Sequence, residues 1–102
     1  MKKLTSMQAK FLRGRAHSLK PVVFVGQKGV TNALIKSTAE AFQHHELIKV
    51  KFNDFKGKEQ KKEIAAAIEN KTNSQVAGII GHIAIFYKQQ RDPDKRKIVL
   101  PN

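Results

Sequence analysis

The sequence of 102 residues contains no cysteine and no tryptophan, and only three prolines. Without cysteine the chain can form no disulfide, no thiolate-ligated zinc site and no cysteine nucleophile. This composition suits a reducing cytoplasm, where we expect the protein to act. No apolar run of the signal-peptide or membrane-spanning kind is present, so no membrane partner is expected. The length predicts a single domain over residues 1–102.

Acidic residues are missing from the first 39 positions, although that stretch holds eight lysines and arginines. All eight acids of the chain lie from Glu40 onward, and the formal net charge is +12. A charge this far from zero on a small domain indicates a polyanionic partner. The positive N-terminal half is therefore the first place to look for a binding surface.

Hydrophobic periodicity predicts an α/β fold in the order α-β-α-β-α-β-β, with a mixed four-stranded sheet and packed helices. The run at 22–25 has no polar alternation, which predicts a central strand covered on both faces. Glycine in Gly81-His82 predicts a tight hairpin between the last two strands. The predicted helices span 6–18, 32–44 and 58–71, and the predicted strands span 22–25, 47–52, 76–80 and 83–87. Residues 98–100 are expected to add a short edge strand.

The tetrapeptide Gly26-Gln27-Lys28-Gly29 lies between the first predicted strand and the second predicted helix. Glycine lets the backbone take positive φ and approach a ligand closely. The helix that follows presents free N–H groups and a partial positive charge, which favour phosphate. A GxxG loop can clamp a nucleic-acid backbone, whereas a plain turn would also use two glycines.

Further basic residues are predicted to surround this loop. Helical spacing places several of them within one arc of the first helix, opposite its apolar side: Lys3, Lys10, Arg13, His17 and Lys20. Arg13 is the strongest candidate because arginine can pair bidentately with phosphate. On the second strand, Lys49 and Lys51 alternate with apolar residues and face outward. Residues 89–102 are expected to form a partly flexible basic segment, whose Lys95-Arg96-Lys97 could order on RNA.

Aromatic residues offer little support for base stacking. Of the six phenylalanines, Phe24 and four others occupy positions that are predicted to face the core. Only Phe55, in a loop, is expected to expose its ring. We therefore expect recognition of backbone and shape rather than bases stacked along the sheet.

Several stretches resemble the CRM-domain family (chloroplast RNA splicing and ribosome maturation), especially its bacterial single-domain, YhbY-type members. The resemblance covers nearly the whole chain in order. It comprises Leu4-Thr5, Gln8 to Arg13, Ala16-His17, Leu19 to Val23, Val25 to Thr31, His45 to Lys51, Ile80-Gly81 and Lys97 to Pro101. Asn73, where many relatives have glycine, and His82, where arginine is expected, depart from the pattern.

This resemblance implies an RNA-binding domain whose fold is like the C-terminal domain of translation initiation factor three. It also implies a GxxG loop beside a basic helix. Bacterial members are associated with precursors of the large ribosomal subunit. The implied partner is therefore ribosomal RNA of that precursor, and the implied role is assistance in ribosome assembly. The high charge of the domain favours a monomer, and we expect no cofactor and no metal.

Two other classes of protein remain open from the residues alone. An enzyme is suggested only by His44-His45-Glu46, but adjacent histidines at a helix end diverge, and neither HExxH nor GxxxxGK[ST] is present. A basic interaction protein for an anionic membrane or protein surface is suggested by the amphipathic first helix. Binding to DNA or to other RNAs is also compatible with the charge, and only the family resemblance favours ribosomal RNA.

Overall fold

Four strands form one mixed sheet in the computed structural model, which describes residues 3–55 and 57–102. They are β1 (Val23–Val25), β2 (Leu47–Phe52), β3 (Gln75–Ile80) and β4 (Ile83–Tyr87). The spatial order is β1-β2-β4-β3, with β1 parallel to β2 and the other pairs antiparallel. Gly81, at φ 58°, makes the β3–β4 hairpin turn, as predicted.

Helices cover both faces of this sheet, which gives three layers. They are α1 (Ser6–Ala16), α2 (Asn32–His44) and α3 (Lys58–Thr72), and a short 3-10 helix follows at Pro93–Lys95. The predicted α-β-α-β-α-β-β order is confirmed. Alternation along β2 separates two cores: Ile48, Val50 and Phe52 pack under α2 and α3, whereas Leu47 packs under α1.

Local sequence signals set the helix ends. Thr5 caps α1 in a capping box: its hydroxyl accepts from the Gln8 N–H at 3.1 Å, and its N–H donates to the Gln8 side chain at 3.0 Å. Asn73 ends α3 in the left-handed conformation, as predicted. The prediction that α1 extends to residue 18 is wrong, because the helix ends at Ala16 and a turn then leads toward Pro21.

The prediction of a central strand covered on both faces is wrong for β1, which forms an edge of the sheet. Val23 and Val25 are buried under α2, while Val22 and Phe24 are 49% and 52% exposed. The reason is the position of α1, which packs on Leu47 of β2 and on β4 and β3. That placement leaves the other side of β1 open to solvent.

The C-terminal segment passes beside α1 without forming the predicted edge strand at 98–100. Ile98 and Leu100 pack against the α1 core, while Val99 between them is 85% exposed. The side chain of buried Glu46 contacts this segment. One carboxylate oxygen accepts from the N–H groups of Lys97 at 2.7 Å and Ile98 at 3.1 Å, and the other accepts from Gln90 at 3.0 Å. These bonds connect the backbone at Gln90, Lys97 and Ile98 to the start of β2.

Tyr87, the single tyrosine, lies in the α1 core. Burial raises the pKa of Tyr87 above its ordinary value of 10.0, and the nearby Glu46 carboxylate adds to this effect, while Arg96 opposes it. The neutral phenol is thus the form that the folded protein favours.

Candidate nucleic-acid interface

Residues Gly26–Gly29 form a tight turn at the carboxyl end of β1. The Gly29 N–H donates to the Gly26 carbonyl oxygen at 3.0 Å. Gly29 has φ 68°, a left-handed value that favours glycine. Gln27 and Lys28 occupy the corners of the turn and are exposed. The turn thus projects one amide side chain and one ammonium group away from the sheet.

The amino-terminal end of α2 lies directly beyond this turn. Thr31 caps the helix, and its hydroxyl accepts from the Leu34 N–H at 3.1 Å. The first turn of α2 contains no acidic residue. The partial positive charge of the helix end is therefore not offset by a neighbouring carboxylate in that turn. A helix end of this kind favours an anion.

A groove of about 570 Å³ runs between the turn, the start of α2 and the edge of β1. Val22 and Phe24 line it on the strand side, Ala33 and Ser37 line it on the helix side, and Lys28 lies at the turn. None of the described residues that line the groove is acidic. The groove therefore combines an apolar wall with a positive end.

The helical arc predicted that Arg13 would extend freely into solvent, but its side chain instead contacts the sheet. One guanidinium nitrogen donates to the Ala77 carbonyl oxygen on β3 at 2.8 Å. The Arg13 stem lies over Gly78, where a Cβ atom would stand 2.6 Å from the Arg13 Cδ. The ladder between β3 and β4 shifts register between Val76 and Gly78, which is the irregularity that the arginine covers. Arg13 therefore links α1 to the sheet.

The other predicted basic residues divide into two groups. Lys49 and Lys51 lie on the α1 side of β2, next to β1, and Lys49 Nζ donates to the Leu19 carbonyl oxygen at 2.9 Å. That bond brings Lys49 beside Lys20, which is exposed. Lys3, in contrast, lies near Gln75 at the start of β3, on the opposite edge of the sheet from the turn.

The rest of the helix arc lies on the outer side of α1. Lys10 lies beside Met7 and Pro101, and both Lys10 and His17 are exposed. Thus the structure gathers Lys20, Lys49 and Lys51 near β1, while Lys3 and Lys10 are farther from the turn.

Sequence reasoning placed two phenylalanines wrongly, and the first is Phe24, which we expected in the core. Val23 and Val25 lie under α2, so strand alternation turns the Phe24 ring to the opposite side. Conversely, Phe55, expected to be exposed, packs partly buried against the α2–α3 core and beside Gly29. A run that is apolar at every position carries no signal that separates its buried and exposed sides.

The carboxylate of the cluster His44-His45-Glu46 is bonded to backbone groups. The Glu46 carboxylate points inward and accepts three backbone N–H groups. Within residues 3–55 and 57–102, no group of three or more histidine, aspartate or glutamate side chains could hold a metal ion. In the same part of the chain, no helix is both long and apolar enough to cross a bilayer.

Comparison with known proteins identifies what the chain resembles. The family model for the CRS1/YhbY (CRM) domain matches residues 4–88. An RNA-binding protein of Haemophilus influenzae is 40% identical over 99% of this chain and 98% of its own length. A protein of Bacillus subtilis named as a probable RNA-binding protein is 38% identical over 96% and 99% of the two chains.

A solved structure has the same fold. The solution structure of a hypothetical Staphylococcus aureus protein, for which RNA binding is the suggested role, superposes with a TM-score of 0.82. The two chains are 28% identical, and the match covers 96% of this chain and 99% of that one. The likeness thus extends over the complete three-layer arrangement.

Proposed function

The chain belongs to the CRS1/YhbY (CRM) domain family, and on that premise we propose that it binds RNA through the turn Gly26–Gly29 and the basic residues around it. One observation carries the proposal. The turn exposes Lys28 beside the positive end of α2, within a half of the chain that has no acid before Glu40. This arrangement suits the backbone phosphates of a nucleic acid.

The binding mechanism is electrostatic. An RNA phosphate lies over the turn, where N–H groups and the Lys28 ammonium neutralise it. Lys20, Lys49 and Lys51 extend the contact along β1 and β2, while Lys10 and His17 extend it along the outer side of α1. Each neutralised phosphate releases condensed counterions, so affinity falls as salt rises. Arg13 contributes charge from α1, where its guanidinium group lies against β3, and Lys3 acts at longer range.

The partner that we propose is ribosomal RNA of the large-subunit precursor, and the role is assistance in ribosome assembly. The names of the relatives support RNA as the class of partner. The ribosomal assignment is supported by the resemblance to bacterial family members associated with precursors of the large subunit. A monomer would hold an immature RNA conformation in the cytoplasm without performing chemistry. Sedimentation of cell lysate with immunoblotting tests the role. Co-migration with large-subunit precursors at low salt, lost at high salt, is the expected result.

Gly26→Asp tests the turn directly. Gly26 has open space around its Cβ position and no positive φ, so an aspartate fits there, whereas Gly29 would be strained. The new carboxylate would face the RNA phosphate and lower affinity at least tenfold in a filter-binding assay at low salt. Asn70→Asp, on the exposed side of α3, is the control, because it changes the net charge equally.

Equal affinity of the Gly26→Asp and Asn70→Asp proteins would remove the turn from the binding surface. Competition experiments, in which duplex DNA or anionic vesicles are added to the protein–RNA complex, test the alternative functions of DNA binding and anionic-surface binding. A vesicle that displaces RNA at equal phosphate concentration would favour a general anionic-surface protein instead.

A further inference from the structure

We propose that Phe24 stacks an unpaired RNA base beside the phosphate that binds at Gly26–Gly29. This inference rests on the proposed function and adds the kind of RNA that the surface prefers. It assigns a role to an exposed aromatic residue that backbone recognition does not use. The expected ligand is a single-stranded segment, because a base inside a duplex is already stacked and paired.

The geometry of β1 supplies the first argument. Phe24 is 52% exposed, on a strand whose neighbours Val23 and Val25 are buried. The alternation places the ring on the α1 side of the sheet, where α1 packs mainly on β2, β4 and β3. The strand fixes the side of the sheet from which the Phe24 side chain extends, so its ring is open to a flat partner on that side.

The surroundings of the ring supply the second argument. Lys51 is the register partner of Phe24 on the parallel neighbour β2, and its side chain points to the same side. Adjacent strands are about 4.8 Å apart, so this exposed lysine borders the ring. Phe24 also lines the groove that leads to Lys28 and the turn. An aromatic surface between two ammonium groups suits a base with a phosphate on each side.

Charge identifies nucleic acid as the occupant, rather than a protein segment. None of the described residues that line the groove is acidic. The neighbouring strand β2 carries Lys49 and Lys51 on the same side of the sheet as Phe24. The surface is continuous with the proposed phosphate site, since Phe24 is two residues from Gly26. A single-stranded nucleic acid meets both requirements, because it offers phosphates and an unpaired base at adjacent positions.

Intrinsic fluorescence gives a direct test, because the chain contains no tryptophan. Phe24→Trp introduces a single reporter on the proposed platform. Ile80→Trp introduces a matched reporter at another exposed apolar residue, 58% exposed on β3, which forms the edge of the sheet opposite β1. The probe is a twelve-nucleotide oligoadenylate, compared with an RNA duplex of the same length. We expect the oligoadenylate to quench the fluorescence of the Phe24→Trp protein but not of the Ile80→Trp protein, and the duplex to quench neither.

Binding measurements on Phe24→Leu and Phe24→Ala complete the test. Both should weaken oligoadenylate binding by about tenfold, within the range expected for one stacked base, while duplex affinity stays within twofold of wild type. Leucine preserves apolar bulk but has no ring, so it separates stacking from simple packing, and thermal unfolding verifies that each variant is folded.

The proposal that Phe24 stacks a base would be overturned by either of two results. One is wild-type affinity of the Phe24→Leu protein for oligoadenylate, and the other is a Phe24→Trp fluorescence that oligoadenylate does not change. Either result would favour a protein partner for this face of β1. If duplex still binds in that case, the proposed RNA function survives and only the platform fails. If wild-type protein binds neither RNA at low salt, the proposed function itself fails, and this inference fails with it.

Discussion

Among the basic residues of α1, Arg13 contributes to stability as well as to charge. Its guanidinium group satisfies the Ala77 carbonyl oxygen at the irregular point of β3, and its methylene groups cover Gly78. Only a residue without a side chain leaves room for that stem. The pair Arg13–Gly78 therefore joins helix and sheet by shape and by a charge-assisted hydrogen bond.

A double-mutant cycle between Arg13 and Gly78 should show strong coupling. Arg13→Ala removes the hydrogen bond and the packed stem, so we expect a loss of about 1–3 kcal/mol in the free energy of unfolding. Gly78→Ala should cost about 1–3 kcal/mol because its Cβ displaces the stem. In the Arg13→Ala background the same change should cost much less. Urea denaturation measures each term.

Lys10→Ala is the control for loss of a cation on α1, because Lys10 is exposed and its loss should leave stability within about 0.5 kcal/mol. Additive costs for Arg13→Ala and Gly78→Ala would contradict the packing described for the pair.

At the scale of elements, the sequence predicts the helices and strands well because their signals are local. The bounds of α2, β2 and β4 coincide with the predicted ones, and Asn73 ends α3 as expected. The hydrophobic period, the helix caps and the turn residues are each encoded by a few consecutive residues, so they can be read without knowing the rest of the fold. The predicted GxxG turn before α2 is present for the same reason.

The environment of an element is harder to predict because it depends on distant parts of the chain. The exposure of Phe24 follows from where α1 packs, and no residue near Phe24 encodes that position. The contact of Arg13 depends in the same way on a register shift in β3, more than sixty residues away. Sequence reasoning thus identified the basic residues but could not assign their neighbours.

The C-terminal segment is another element whose position depends on a distant residue. Glu46 lies at the start of β2, yet its carboxylate accepts the N–H groups of Gln90, Lys97 and Ile98. Both carboxylate oxygens are used, so a neutral amide cannot reproduce the arrangement. Among the three residues that we expected to pair as a strand, the Glu46 carboxylate binds the N–H of Ile98.

Glu46→Gln should therefore loosen the segment. The amide nitrogen would oppose at least one backbone N–H group, and we expect a loss of about 1–3 kcal/mol in the free energy of unfolding. Amide hydrogen exchange of residues 90–98 should accelerate more than that of β2 or β4. Glu40→Gln, at an exposed position of α2, is the control. Unchanged exchange at Lys97 and Ile98 would show that the carboxylate does not hold the segment.

Across the whole molecule, charge is divided between surfaces. The first 39 residues supply α1, β1, the turn and the start of α2 without an acid, whereas α3 mixes both signs. A uniformly positive surface attracts a polyanion at long range, and a mixed surface adds little net field. This division orients the protein before any contact forms.

Salt dependence should reveal the same division. Lys28→Gln and Lys51→Gln should each lower the slope of log affinity against log salt by about 0.7, the value expected for one phosphate of single-stranded RNA. Lys71→Gln removes an equal charge near the end of α3 and should leave the slope unchanged. Equal slopes for all three variants would indicate that net charge alone drives binding.

The positions of the two terminal segments, both of which lie beside one cavity with Leu4 and Leu100 among its lining residues, have a topological consequence. The Leu4 N–H donates to the Gln75 side chain, and the Gln8 amide donates to the Pro101 carbonyl oxygen at 3.0 Å, so the two segments leave the fold side by side. A unit whose entry and exit are adjacent can be inserted into a loop of another protein without stretching either connection. The same adjacency lets the order of its elements be circularly permuted through a short linker, with the sheet unchanged.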